Sequence, residues 1–253
     1  MPHFRGAYPK SLTSRKTILI LKKMKKLLLP FLILMLGSAN VKAQSLFWQE
    51  KLIEVDGKDA AAVAALVDGF YSKHPKPVNV MVEFSDIQMK GSSEKATHVI
   101  TISSSDSKSL ADYVSSLKGD TWNSYVSKMQ VYMKSITTSA GKDLLSFGSD
   151  TYLPIGQGWH FKVKTEDLNN FVGAFGKLIK SIKIDGFAGV GQIIHGRENG
   201  ESVYIYVTHS DLNSAFNWGP KNESEAAAFS LFSTARLGAE FTKSNTRVIV
   251  KRY

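Results

Sequence analysis

The chain has 253 residues, of which 43% are hydrophobic and 11% aromatic, and it carries a formal net charge of +10. That is the composition of a folded protein and excludes a disordered or collagen-like chain. With no cysteine, it also excludes a disulfide scaffold, a thiolate nucleophile, a cysteine zinc site and an iron–sulfur cluster. Taken alone, the positive charge points to an anionic partner such as nucleic acid or a membrane surface.

The first predicted element changes that reading. Residues 24–43 read MKKLLLPFLILMLGSANVKA, with a basic start, an apolar centre and a small residue at Ala43. This is the layout of a secretory signal. The ten-residue apolar run from Leu27 to Leu36 contains Pro30 and falls short of a bilayer span, which needs about 20 residues. Cleavage after Ala43 would leave Gln44 as the first residue, and Met24 is the expected true start. Residues 1–43 hold nine Lys or Arg and no Asp or Glu, so the remainder carries 23 basic and 22 acidic residues, a net of +1. The positive surplus therefore belongs to the leader. The expectation is a bacterial protein, periplasmic or secreted, with no nucleic-acid partner and membrane contact only during export.

The rest of the chain reads as two copies of one unit. Copy one gives strand 48–55, helix 59–73, strands 78–89 and 97–103, and helices over 107–138. Copy two gives strand 159–164, helix 167–181, strands 186–195 and 202–208, helices 211–218 and 223–240, and strand 246–252. Val78, Val80, Val82 and Phe84 alternate with other residues, the period of a half-buried strand. Val63, Leu66, Val67 and Phe70 form a helical stripe after Asp59, and Phe171, Phe175, Leu178 and Ile179 form another after Asp167, a candidate N-cap. SDSKSLADY (105–113) matches SDLNSAFNW (210–218) at an offset of 105, with Asp106 and Asp211 placed as helix caps. Trp48 and Lys51 match Trp159 and Lys162 at an offset of 111. Pro154 and Gly156-Gln157-Gly158 are expected to link the copies, giving repeats at 44–153 and 154–253. Gly196 and Glu198-Asn199-Gly200 mark a hairpin turn.

A βαββαβ order repeated twice is the split-βαβ, ferredoxin-like unit of an α+β protein. Each unit covers one sheet face with helices and leaves the other needing a partner. Two units in one chain can supply each other as an intramolecular pseudo-dimer, which predicts a monomer. In this element order and duplication, over about 200 residues, the chain resembles the dimeric α/β-barrel superfamily of antibiotic-biosynthesis-monooxygenase-like and stress-response proteins. The resemblance implies a ligand cavity beside the sheet. Some members bind haem, others oxidise aromatic substrates without a cofactor, and many have no known activity.

No GxSxG elbow, HExxH or P-loop motif occurs, and no two histidines have a short metal-ligand spacing, so no metal site is expected. His160, His195 and His209 are the candidates for a haem ligand. Strand alternation puts His160, Lys162, Tyr204 and Tyr206 on the face away from the helices. By the Trp–Lys match, Lys51 joins Lys162 in the space between the sheets. A lysine there is costly unless paired or wet, so the arrangement describes a polar cleft for a small anionic or aromatic ligand, walled by tyrosines. The bland counterpart is that both lysines reach the rim or pair with Glu50, Glu54 or Glu83. Trp218 and Tyr113 read as packing residues. The functional expectation is a ligand-binding or stress-related barrel protein. The alternative is a cofactor-independent or haem-dependent monooxygenase-like enzyme, with His160, His195, His209 or Tyr206 near the substrate.

Overall fold

The computed structural model describes residues 46–148 and 153–253; the leader, with its cleavage position, lies outside them. Eight strands are described: β1 Phe47–Val55, β2 Val80–Lys90, β3 His98–Ser104, β4 Met133–Gly148, β5 Ile155–Lys162, β6 Phe187–His195, β7 Val203–His209 and β8 Glu240–Arg252. The helices are α1 Ala60–Tyr71, α2 Ser107–Ser116, α3 Asp120–Gln130, α4 Leu168–Ser181, α5 Leu212–Phe216 and α6 Glu223–Ala235.

The strands close a barrel in the order β1-β3-β2-β8-β5-β7-β6-β4. Each half contributes four antiparallel neighbours, β4-β1-β3-β2 and β8-β5-β7-β6, the sheet order of a ferredoxin-like unit. The seams are β2 with β8 and β6 with β4. The two seam strands are the longest, 16 residues in β4 and 13 in β8. One end of each pairs within its own half and the other end pairs across. Among the described strands no edge is left for a second chain to extend.

Helices cover the outside. In the first half Ile53, Val80, Val82, Phe84, Ile100 and Ile102 pack against Val63, Val67 and Phe70 of α1 and Tyr125 and Met129 of α3. In the second half Phe161, Ala188, Val190, Val203, Ile205 and Val207 pack against Phe171, Phe175, Leu178 and Ile179 of α4 and Phe232 of α6. Odd and even positions along each strand thus separate two environments, and full burial of each such side chain is worth about 1.5–3 kcal/mol. Asp106 caps α2 through the amides of Lys108 and Ser109, and Asp211 caps α5 through that of Ser214. Asp167 makes no such bond, because a 3-10 turn at Thr165–Asp167 precedes α4.

Two expectations are corrected. The helical reading of 107–138 stops at Gln130, and residues from Met133 onward form β4. Ser, Thr and Gly are frequent in that strand and its apolar residues do not alternate; its two buried positions are Gly141 and Asp143, and bulges interrupt its pairing with both neighbours. The second concerns Gly156-Gln157-Gly158, which is not a link but the body of β5. A Cβ on Gly156 would overlap the Tyr206 hydroxyl, so glycine is required there by a neighbouring ring, not by a turn.

Candidate functional site in the barrel interior

Inward-facing residues surround a cavity of about 70 Å³, room for a few waters or a small molecule. Trp48, Met81, Phe187, Tyr204 and Tyr206 give it apolar and aromatic walls, and Glu50, Glu83, Asp143, His160 and Arg247 supply the polar groups.

Two hydrogen-bonded chains organise the polar groups. In the first, the Trp48 indole N–H donates to the Tyr204 hydroxyl at 2.6 Å, and that hydroxyl donates to Asp143 Oδ1. The Trp48 and Tyr204 rings meet edge to face at 5.2 Å. Asp143 Oδ2 is buried without a hydrogen-bond partner. Burial pushes the Asp143 carboxyl up to about 7, and the Tyr204 bond holds back part of the rise. In the second chain, Arg247 donates to Glu50 Oε1 at 2.5 Å, Thr101 donates to the same oxygen at 3.3 Å, and the guanidinium lies 5.4 Å from the Tyr206 ring centre. Burial raises the Glu50 carboxyl, but Arg247 outweighs it and the net shift is downward. Glu83 pairs with Arg252 at 3.0 Å.

His160 stands between these chains and the far end of the barrel. There Lys243 gathers Glu94 at 3.1 Å, Glu198 at 3.6 Å and Glu201 at 3.9 Å. Burial, then the charge of Lys243, lowers the His160 imidazole to about 4, so it is neutral at pH 7, and its Nδ1 has no partner.

The expected residues are divided by this geometry. His160, Tyr204 and Tyr206 line the cavity. Lys162 ends β5 at the rim and pairs with Glu240 at 2.9 Å, both side chains substantially exposed. Lys51 faces the helices instead of the cavity, with its ammonium 4.7 Å from the Trp122 ring centre. The physical reason is register. Trp48 lies opposite Ser103 in β3, and its counterpart in β5, opposite Thr208, is Gly156, not Trp159. The true offset of these strands is 108, odd with respect to 111, and an odd slip turns every side chain to the other face. His195 is exposed at the end of β6. His209 is buried on the helix side, 5.6 Å from the Trp218 ring, and burial lowers its pKa. Trp48, Glu50, Asp143 and Arg247 were not singled out as ligand residues. The even parity of Trp48 and Glu50 follows from register, whereas Asp143 lies on the misread strand.

Two of the three histidines do not fit a haem: His160 opens on a cavity far too small for a macrocycle, and His195 stands on an exposed strand end. His209, its Nε2 buried without a partner, borders a cleft in which Ile182, Ile184, Val207 and Trp218 stand beside Ser210, Asn213, Ser214, Asn217 and charged residues, a mixed lining. Haem is held between apolar walls with an axial ligand.

Three solved structures are similar to this chain. A monooxygenase-like protein from Lactobacillus acidophilus NCFM aligns at 9% identity over 82% of this chain and 94% of its own, with a TM-score of 0.56. An anthrone oxidase-like protein aligns at 12% identity over 85% and 95%, TM-score 0.58. A monooxygenase-like protein from Fusobacterium nucleatum aligns at 10% identity over 82% and 93%, TM-score 0.56. No protein-family model matches the sequence, and no curated protein matches it. At these identities the likeness establishes the fold: an α+β barrel of the dimeric α/β-barrel type. In this chain both ferredoxin-like halves lie in one polypeptide.

Proposed function

We propose that the barrel interior binds a small, uncharged aromatic molecule carrying one hydroxyl. The observation that carries this is Asp143, a buried carboxyl with one oxygen held by Tyr204 and the other without a partner, set among aromatic walls. A ligand hydroxyl would satisfy that oxygen, and a buried unpaired acceptor is otherwise costly by about 1–3 kcal/mol. The interior disfavours an anion. Arg247 and Arg252 are each matched by a glutamate, and Asp143 adds acid. Calorimetric titration with simple phenols tests the reading: Asp143→Leu should weaken binding about tenfold or more. Equal binding by Asp143→Leu would overturn it.

A second reading, supported by the monooxygenase-like and anthrone oxidase-like neighbours, is that Asp143 removes a hydroxyl proton from a bound hydroquinone, whose anion passes two electrons to dioxygen; the ring leaves as quinone, and the oxygen takes the Asp143 proton and the second hydroxyl proton and leaves as hydrogen peroxide. The carboxyl's rise to about 7 favours it, since a general base works best near the ambient pH. Oxygen consumption with hydroquinone as probe, reduced about 100-fold or more in Asp143→Asn, is the expected result; no consumption by the wild type above the uncatalysed rate rejects it.

We also propose that the chain is exported and monomeric. Residues 24–43 and the absence of a free sheet edge support this. N-terminal sequencing of periplasmic or secreted protein should begin at Gln44, and light scattering should give the mass of one chain.

A further inference from the structure

We propose a second ligand site on the helix side of the first half, where Lys51 and Tyr71 together receive the carboxylate of a small acid with an apolar body. A pocket of about 70 Å³ lies there between β1, α3 and β4. Lys51 stands at its wall with Trp122, Tyr125, Met129, Met133 and Ile136 around it. The cross-strand neighbours of Lys51 are Ile100 and Thr138, neither charged. Among the described residues no carboxylate pairs with it, and its ammonium rests over the Trp122 ring. Burial lowers its pKa with no acid acting in the other direction.

Tyr71 gives a second, independent sign. It lines the same pocket, it is 3% exposed, and its hydroxyl is buried without a hydrogen-bond partner. Burial and the neighbouring tyrosines raise its pKa, so it remains a donor. An unmatched ammonium and an unmatched hydroxyl thus share one apolar pocket. A carboxylate accepts from both, and the walls take the hydrocarbon. Ile136, half exposed, stands at the mouth.

The second half has no such place. Trp159 holds the position that matches Lys51, opposite Ile205 as Lys51 is opposite Ile100, and it packs into the second hydrophobic cluster. The site is therefore not repeated at the matching place, and it is separate from the barrel interior.

Hexanoate, benzoate and hexanol are the probes, titrated calorimetrically at pH 7. The wild type should bind at least one acid saturably and hexanol about tenfold more weakly, the scale of one charge-assisted hydrogen bond. Lys51→Met and Tyr71→Phe should each weaken acid binding about tenfold or more. Ile136→Trp, at an exposed position, should block it even if the buried variants fold poorly, while Asp143→Asn should leave it unchanged. No saturable binding of either acid, hexanol binding as tightly as hexanoate, or unchanged binding in folded Lys51→Met or in Ile136→Trp would overturn the proposal. Loss of phenol binding in Asp143→Leu bears only on the barrel interior, so the two readings fail separately.

Discussion

The two halves share a strand order but fill the barrel in opposite ways. On the first strand of each, Trp48 and Glu50 occupy the inward positions in one half where Gly156 and Gly158 stand in the other, as their partners Ser103, Thr101, Thr208 and Tyr206 show. On the third strand the sizes reverse, with Val99, Thr101 and Ser103 against Tyr204, Tyr206 and Thr208. Glu83 is matched by Gly189, opposite Thr101 and Tyr206 respectively. On the seam strands Gly141 faces Trp48, and Arg247 faces Gly156. The glycines are bare where a ring needs the space. A Cβ on Gly191 would overlap the Tyr204 hydroxyl, and one on Gly141 would overlap Trp48 and the Gln192 carbonyl. The difference teaches that each half makes room for its own rings at different places, Trp48 over Gly141 in the first and Tyr204 and Tyr206 over Gly191 and Gly156 in the second, around a cavity beside Asp143.

The largest blow to this arrangement should come from its inter-half ion pair. Arg247→Met strands Glu50 without a counter-charge, and urea unfolding should show a loss of about 3–5 kcal/mol. Adding Glu50→Leu should recover much of it, since an apolar pair of similar volume is often as stable as a buried ion pair. If the single variant costs nothing, the halves are not coupled through these residues.

The next effect is one of pH. Asp143 rises from 3.8 to about 7 on folding, so its contribution to stability is full below pH 4 and is lost as pH rises towards 7. His160 falls from 6.5 to about 4, so its contribution is full above pH 6.5 and is lost as pH falls towards 4. Each slope is worth roughly 3–4 kcal/mol across its window, and the two oppose each other. Unfolding free energies between pH 4 and 7 should therefore vary little in the wild type. Asp143→Asn should become markedly less stable at low pH, and His160→Gln less stable at high pH. A flat profile in both variants would show that neither group carries its shift.

Smaller still is the cost of filling a bare position. Gly141→Ala should destabilise by about 1–3 kcal/mol through overpacking against Trp48 and the β6 backbone. Gly173→Ala, on the exposed face of α4 with nothing within 4 Å of the added carbon, should stabilise by about 0.5–1 kcal/mol. Thermal melts read both, and equal signs would mean that interior crowding is not what keeps Gly141.

Much of the architecture was legible in the sequence, because strand and helix periods are local properties. The offset of 105 that aligns Asp106 with Asp211 holds through the pairing of β3 and β7 with their neighbours. Strand alternation gave His160, Tyr204 and Tyr206 their inward facing. Register between strands is not local: matching Trp48 with Trp159 shifts β5 by three residues and places Lys51 in the interior. Asp143 was hidden more deeply. Its strand lacks an alternating pattern, since it serves two neighbours through bulges and buries a glycine and a carboxyl instead of branched apolar residues. The glycines around Gly156 and Gly191 did carry a signal, since repeated bare positions within strands mark close approach by a neighbour.

Joining the halves in one polypeptide has a consequence for how such a cavity can arise. An assembly of two identical subunits related by a two-fold axis repeats every substitution. A tryptophan introduced on the first strand of one side appears on the other as well, so a tryptophan and a glycine could not occupy the matching places that Trp48 and Gly156 hold here. Fusion removes that constraint. Trp48 can face Gly141 in one half while, at the matching places of the other, Gly156 faces Arg247, each half changing on its own. A symmetric ancestor could offer only sites in pairs or one site on the axis, whereas this chain can hold two unlike sites, one inside its barrel and one beneath the helices of a single half.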